Sequence, residues 1–289
     1  MTQNDDGDGF SAIAKSRIAI VGLGLMGGSL ALALQGRCKA LYGIDPDPTV
    51  VKLAIERGVV EKASVDAGTL LPEADVIILA APVRTIIKLL GELPNMTPRK
   101  TIVLDIGSTK VQITQAMQAL PPRFDPVGGH PMCGKEKSGL AYADPRLFRD
   151  APFVFTPLER SSSRARAFCS QLAGAIDARP LWLDAETHDR WTAATSHFPS
   201  LLANALAAST PLDALPLVGP GFRSTARLAD SSARMMADIL ATNRENVLAA
   251  FLEFKGRLAQ YESLLERGDF AALETALVQG TERYRALVD

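Results

Sequence analysis

Between residues 17 and 183 the chain alternates short runs of consecutive apolar residues with longer amphipathic stretches. The runs RIAIVGLG, ALYGID, ADVIILAAP, KTIVLDIG, APFVFTP and ARPLWLD are apolar at successive positions rather than at every second one. Strands read this way when helices cover both faces of a parallel sheet. The segments between them, such as 48–57, 84–93 and 110–119, are long enough for crossover helices. This βαβ series predicts an α/β domain, a Rossmann-type doubly wound sheet, over residues 14–184. From AETHDRW at 185 the spacing becomes helical, with 186–210, 230–267 and 269–287 rich in Ala, Leu, Glu and Arg and interrupted by STPLDALPLVGPGFRS, where Pro and Gly break the pattern. An all-helical second domain is therefore expected over 185–289. Its segments SHFPSLLANALAAS and NVLAAFLEFKGRLAQYESLL are apolar over wider faces than three or four helices bury by themselves.

Charge and composition narrow the partners. With 31 basic against 32 acidic residues in 289, the net charge of -1 gives no field to draw in nucleic acid or an anionic membrane. A small-molecule partner is the expectation. Cys38, Cys133 and Cys169 form no C-x-x-C pair for zinc or redox cycling, which suits a reducing, cytoplasmic setting. No apolar run reaches the roughly 18 residues of a membrane span. The opening MTQNDDGDGFSAIAKS is acidic and polar, unlike a signal peptide, and reads as a frayed tail.

The first strand runs into GLGLMGGSL, which sets Gly22, Gly24 and Gly27 in G-x-G-x-x-G spacing ahead of a helical stretch. Gly22 permits the tight turn, Gly24 lets a pyrophosphate approach the backbone, and Gly27 lets helix and strand pack closely. The turn, including Leu23, Leu25 and Met26, places free amides at a helix N-terminus, where phosphates bind. The second strand ends in Asp45 at the expected distance of about 20 residues. A carboxylate there accepts hydrogen bonds from ribose hydroxyls and repels a 2′-phosphate, so NAD is favoured over NADP. Two more strand ends face the same crevice. LAAP, with Ala81 and Pro82, is small and smooth enough for a flat nicotinamide or ribose, and LDIGSTK brings Ser108. The Ser108 hydroxyl has two open readings: a hydrogen-bond donor to the nicotinamide or substrate, and an N-cap of the following helix.

The three histidines are His130, His188 and His197. His130, in VGGHPMCGKEKSG, follows a strand-like FDPVG and is expected in a Gly/Pro-bounded loop, where catalytic groups concentrate. A neutral imidazole there is suited to accept a proton at neutral pH. His188 and His197 lie nine residues apart. On a regular helix they point about 180° apart, so they cannot share a metal and at most one faces the cleft. No metal site is expected.

Taken together, VGLGLMGGSLALAL, LAAP, DIGSTK, GGHPMCGKEKSGLAYA, HDRWTAATSHFP and GFRSTARLA resemble the prephenate/arogenate dehydrogenase family, which makes the tyrosine ring aromatic. The matching segments run in family order from residue 17 to about 250. H-P-M-x-G beside E-x-S-G, and H-D-x7-H-x-P, are far more specific than the glycine pattern. The resemblance implies NAD-dependent oxidative decarboxylation of arogenate or prephenate. In it His130 accepts the proton of the ring 4-hydroxyl as hydride leaves C4, and Ser108 hydrogen bonds that hydroxyl and the histidine. Arg227 grips a substrate carboxylate, for which its planar fork is suited. The resemblance further places His197, Ser200 and Gly134 at the substrate, and it implies a homodimer with intertwined helices and clefts between domains.

The chain also departs from the family. Many prephenate-using members read S-H-L-P-H, whereas this chain reads SHFPS, with Ser200 in place of the second histidine. Since that histidine lies near the substrate side chain, Ser200 leans the reading toward arogenate. Ser224 stands where an acidic residue is common. No additional catalytic or regulatory module is expected beside the two domains. Two other functions stay open: a different dehydrogenase of β-hydroxyacid or pyrroline-carboxylate reductase type, and a non-catalytic NAD sensor. The His130 loop argues against the first, and joint retention of Ser108, His130 and Arg227 against the second.

Overall fold

The computed structural model describes residues 12–135 and 137–288. The first domain comprises α1 (Ala12–Lys15), β1 (Arg17–Val21), α2 (Leu25–Leu34), β2 (Ala40–Ile44), α3 (Pro48–Glu56), β3 (Lys62–Ser64), α4 (Ala67–Leu70), β4 (Val76–Leu79), α5 (Val83–Met96), β5 (Thr101–Asp105), α6 (Val111–Gln118), β6 (Phe124–Pro131), β7 (Pro152–Pro157), α7 (Ser163–Ala175) and β8 (Arg179–Trp182). The strands form one sheet in the order β3-β2-β1-β4-β5-β6-β7-β8. Alternate residues of β1 explain the unbroken apolar runs: Ile18 and Ile20 enter one core cluster, Ala19 and Val21 the cluster on the other face. Both faces of the sheet are roofed by helices, so neither parity of residue can be polar.

Three features differ from the sequence expectation. The sheet is mixed, because β6 and β7 pair antiparallel. Two strands lack an apolar run: β3 is a three-residue edge strand, and β6 reads FDPVGGHP, extending the strand-like FDPVG through residues expected in a loop. Of the stretch read as a frayed tail, residues 1–11 lie outside the described residues, but Ala12–Lys15 are helical. Ile13 there is only 2 % exposed, and the Ala12 amide donates to Gln171 of α7 at 2.7 Å.

The second domain is helical throughout: α8 (Ala185–Thr192), a π-helical turn Ala193–His197, α9 (Phe198–Ser209), a 3-10 turn Leu212–Leu217, α10 (Pro220–Ala226), a second 3-10 turn Arg227–Asp230, α11 (Ala233–Thr242), α12 (Arg244–Glu266) and α13 (Phe270–Val288). The helix expected over 230–267 breaks at Asn243, whose backbone leaves helical geometry at φ -130°. Ile239 of α11 is buried within the core cluster of the first domain, so the two domains share apolar packing beside α5. No helix among the described residues is long and apolar enough to cross a membrane.

Candidate active site

Strand order reverses between β1 and β4, and ligands of open α/β sheets bind beyond the strand ends at such a point. Register brings these ends level: Val21 pairs with Ile44 and Leu79, and Leu79 with Asp105. The three glycines of the turn differ in what they face. Gly22 has φ +99°, and a Cβ there would sit 2.3 Å from the Ala80 carbonyl oxygen. A Cβ on Gly27 would lie 1.9 Å from the Gly22 oxygen, whereas one on Gly24 would meet nothing within 4 Å. Gly22 and Gly27 are thus demanded by the protein itself, while the surface over Gly24 is open to a ligand. Gly24 caps α2 without a side-chain hydrogen bond, leaving the amides of the first turn, from Leu25 and Met26 onward, for an anion. Asp45 closes the rim: its Oδ2 accepts from the Leu23 amide at 2.9 Å and its Oδ1 from Asp47 at 3.0 Å, with the carboxylate still partly exposed. Ala81 is partly exposed and Pro82 exposed at the end of β4. An open cradle, bare helix amides and a rim carboxylate fit a dinucleotide.

His130 is not in a loop. It is the seventh residue of β6 and pairs with Val154 of β7. Pairing of β5 with β6 stops at Leu104 and Val127, so the end of β6 overhangs β5 and carries the imidazole above the turn that follows Asp105. The overhang passes so close to β5 that a Cβ on Gly129 would lie 2.6 Å from the Asp105 carbonyl oxygen. That contact accounts for glycine just before the histidine. The Asp105 carboxylate then takes the Gly129 amide at 3.1 Å and the Gly107 amide at 2.7 Å. Lys110 completes the clamp, since its ammonium contacts Asp105 and donates to the Gly129 carbonyl at 2.6 Å. Both side chains of this ion pair are fully buried. Burial pushes the Asp105 carboxyl up and the Lys110 ammonium down, and their mutual attraction opposes both shifts.

The helical domain reaches the same point from the other side. His188 Nε2 lies 2.9 Å from His130 Nδ1, and His188 Nδ1 lies 2.8 Å from Asp189 Oδ1. The Asp189 carboxylate also accepts the Lys110 amide at 2.6 Å and the Val111 amide at 2.9 Å, at the start of α6. Asn243 Nδ2 donates to the Asp189 carbonyl at 2.6 Å and lies 3.1 Å from His197 Nδ1. The π-helical turn disturbs the helical count, so His188 and His197, expected on opposite sides, are both 1 % exposed against this one cluster. Such turns recur at functional sites. Burial drives His130 well below its ordinary pKa, with repulsion from His188, Lys110 and His197 adding to it. Burial likewise lowers His188 against the pull of Asp189, and lowers His197 to about 4. All three rings are neutral at pH 7.

Ser108 lies partly exposed in the turn after β5, and the N-cap of α6 is Lys110, so the Ser108 hydroxyl is not engaged in capping. The carboxylate at the start of that helix is that of Asp189, from the other domain. The Ser108 backbone faces the buried Nε2 of His197, and this contact raises the ring's proton affinity against the effect of burial. Ser200 is 8 % exposed on α9. Gly134 is exposed with open space around it, and Ser224 is exposed on α10. Arg227 lines a cleft of about 670 Å³ together with Lys137, Phe222 and Arg223. His130 is not part of that lining. The residues that sequence reading missed are Asp105, Lys110, Asp189 and Asn243. Asp189 stood next to His188 in HDRW, and Asp105 and Lys110 bracketed DIGSTK. Only the fold shows that they converge.

Comparison with known proteins identifies the family. The model described as "Prephenate dehydrogenase, nucleotide-binding domain" matches residues 30–179, and that described as "Prephenate dehydrogenase, dimerization domain" matches 184–279. The prephenate dehydrogenase of Bacillus subtilis (strain 168) is 34% identical over 265 residues, covering 88% of this chain and 71% of that protein. Among solved structures, prephenate dehydrogenase from A. aeolicus in complex with hydroxyphenyl propionate and NAD+ superposes with a TM-score of 0.87 at 28% identity, covering 96% of this chain and 100% of the other. Synechocystis arogenate dehydrogenase superposes with a TM-score of 0.77 at 26% identity, covering 94% and 100%. With both domains matched in order around a shared crevice, the chain belongs to the prephenate dehydrogenase family.

Proposed function

We propose that the protein catalyses the oxidative decarboxylation of a cyclohexadienyl carboxylate, arogenate or prephenate, with His130 as the proton acceptor. The observation that carries this reading is the placement of a neutral imidazole on the overhanging end of β6, with Nδ1 engaged by His188 and no described residue bonded to Nε2. NAD, held by the glycine turn and Asp45, supplies the hydride acceptor when bound.

His130 Nε2 takes up the proton of the ring hydroxyl as the C4 hydride departs. The C1–CO2 bond then breaks, and its electron pair completes the aromatic ring. The overall conversion releases no net proton, so the proton held by His130 returns to the phenolic oxygen. Ser108, its hydroxyl not used for capping, hydrogen bonds the same oxygen. Arg227 meets a substrate carboxylate as a fork-shaped donor in a cleft that also carries Lys137 and Arg223. His197, Ser200 and Gly134 border the substrate pocket, and a hydroxyl at Ser200 in place of an imidazole favours the amino-acid side chain of arogenate.

The working unit is a homodimer. Phe251, Leu252 and Leu258 of α12, with Leu277 and Val278 of α13, are 48 to 69 % exposed, and large apolar side chains grouped on exposed helices mark an association surface. The test is NADH formation by the purified protein offered arogenate and prephenate separately, with NAD and NADP each supplied. Absence of turnover with both substrates overturns the proposal.

A further inference from the structure

We propose that Asp189, acting through His188, is the positioning residue that fixes the tautomer of His130 and ties that choice to the joint between the two domains. The inference deepens the proposed role of His130 and rests on it. It follows from counting protons along a line of three side chains. An ionised carboxylate only accepts, and Asp189 Oδ1 faces His188 Nδ1 at 2.8 Å, so Nδ1 of His188 carries the hydrogen. His188 is buried and neutral, so its Nε2 holds a lone pair and accepts. The atom facing that lone pair, His130 Nδ1 at 2.9 Å, must therefore donate. A neutral imidazole that donates from Nδ1 has its lone pair on Nε2, the atom required to receive the substrate proton. Once His130 takes that proton, the new charge is stabilised by the His188 lone pair and, behind it, by Asp189.

The same carboxylate accepts the Lys110 and Val111 amides at the head of α6, directly after the Ser108 turn. Asp189 comes from the helical domain and α6 from the nucleotide domain. One side chain therefore sets the spacing between the Ser108 turn and the histidine pair, and it joins the elements that must meet on one substrate oxygen. A parallel count treats His197. Asn243 donates one hydrogen to the Asp189 carbonyl and the other to His197 Nδ1, which leaves the His197 proton on Nε2. The groups facing His130 in this cluster are His188, Lys110 and His197, and those facing His188 are Asp189, Lys110 and Asp105.

The test needs neither substrate nor cofactor. Long-range 15N–1H spectra of the full-length protein with 15N-labelled histidine, at pH 7, are expected to show His130 and His188 as Nδ1–H tautomers and His197 as Nε2–H. Finding His130 as the Nε2–H tautomer overturns the proposal even if His130 proves essential to turnover. Conversely, retained turnover in His130→Asn refutes the base assignment and leaves the tautomer result standing. Two substitutions add a functional readout. In His188→Gln the amide oxygen takes the place of the Nε2 lone pair, so kcat is expected within about tenfold of the parent protein. In His188→Asn the carbonyl cannot reach His130, so kcat falls roughly 10²-fold with KM little changed and the acid limb of the pH profile moves. Equal kcat losses in the two variants, with thermal melts like the parent, count against the relay.

Discussion

His188 Nε2 approaches His130 Nδ1 to 2.9 Å across a separation of 58 residues and across the boundary between the two domains. The contact makes the joint between domains and the proposed catalytic group one construction, and the consequences can be measured separately.

Removing the imidazole should affect the chemical step, whereas removing the guanidinium should affect substrate capture. His130→Asn is expected to lower kcat by about 10²- to 10⁴-fold, the range for loss of a general base. Arg227→Ala is expected to act mainly on KM, because a carboxylate clamp serves ground state and transition state alike. Steady-state NADH formation separates the two, and a His130→Asn protein with unchanged kcat refutes the base assignment.

The buried clamp under His130 should be costly to break from one side. Lys110→Met keeps the aliphatic stem but leaves Asp105 buried without its cation, and such a loss costs about 3–5 kcal/mol. The double variant Lys110→Met with Asp105→Asn removes the orphaned charge and should recover part of that loss. Urea unfolding of the two proteins decides it, and a single variant within 1 kcal/mol of the parent would argue against the clamp.

Stability should fall on acidification below the ordinary histidine range. In the unfolded chain His197 protonates near pH 6.5, but in the folded chain burial, together with repulsion from His188, holds it neutral down to about 4 despite the pull of Asp189. Between these values the unfolded state binds more protons, so stability declines as pH drops, by about 3 kcal/mol for this group at pH 4. His130 and His188 shift in the same direction and steepen the decline. Melting temperatures from pH 7 to 4 should trace this fall, and His197→Asn should flatten it.

Coenzyme choice should follow the rim carboxylate. Asp45→Ser removes the charge that repels a 2′-phosphate and loosens the contact with the Leu23 amide. The ratio of kcat/KM for NADP over NAD is expected to rise at least tenfold, which corresponds to about 1.4 kcal/mol. An unchanged ratio would mean that Asp45 does not face the ribose.

Much of this architecture is legible in the sequence. Continuous apolar runs follow from a sheet covered on both faces, and the glycines at 22 and 27 follow from backbone approaches that tolerate no Cβ. Those are local constraints, written in consecutive residues. Only the far end of β6 stayed hidden, because Gly129 and Pro131 around His130 read as a loop after the strand-like FDPVG, although Gly129 is what lets the strand pass over Asp105. The antiparallel turn of β7 has no local signature either.

The sequence by itself determined the nucleotide cradle, the helical second domain, and His130 as the residue to watch. Only the tertiary structure decided the partners of that histidine. His130 lies on β6, whereas His188 and Asp189 are neighbours on α8, and the hydrogen bond between the two imidazoles depends on a strand overhang and on the docking of α8 beside α6. A π-helical turn then swings His197 into the same cluster. Periodicity records which face of an element is buried, but it carries no information on which buried polar atoms meet. That is settled by the register of a sheet and the packing of two domains, to within the 3 Å of a hydrogen bond.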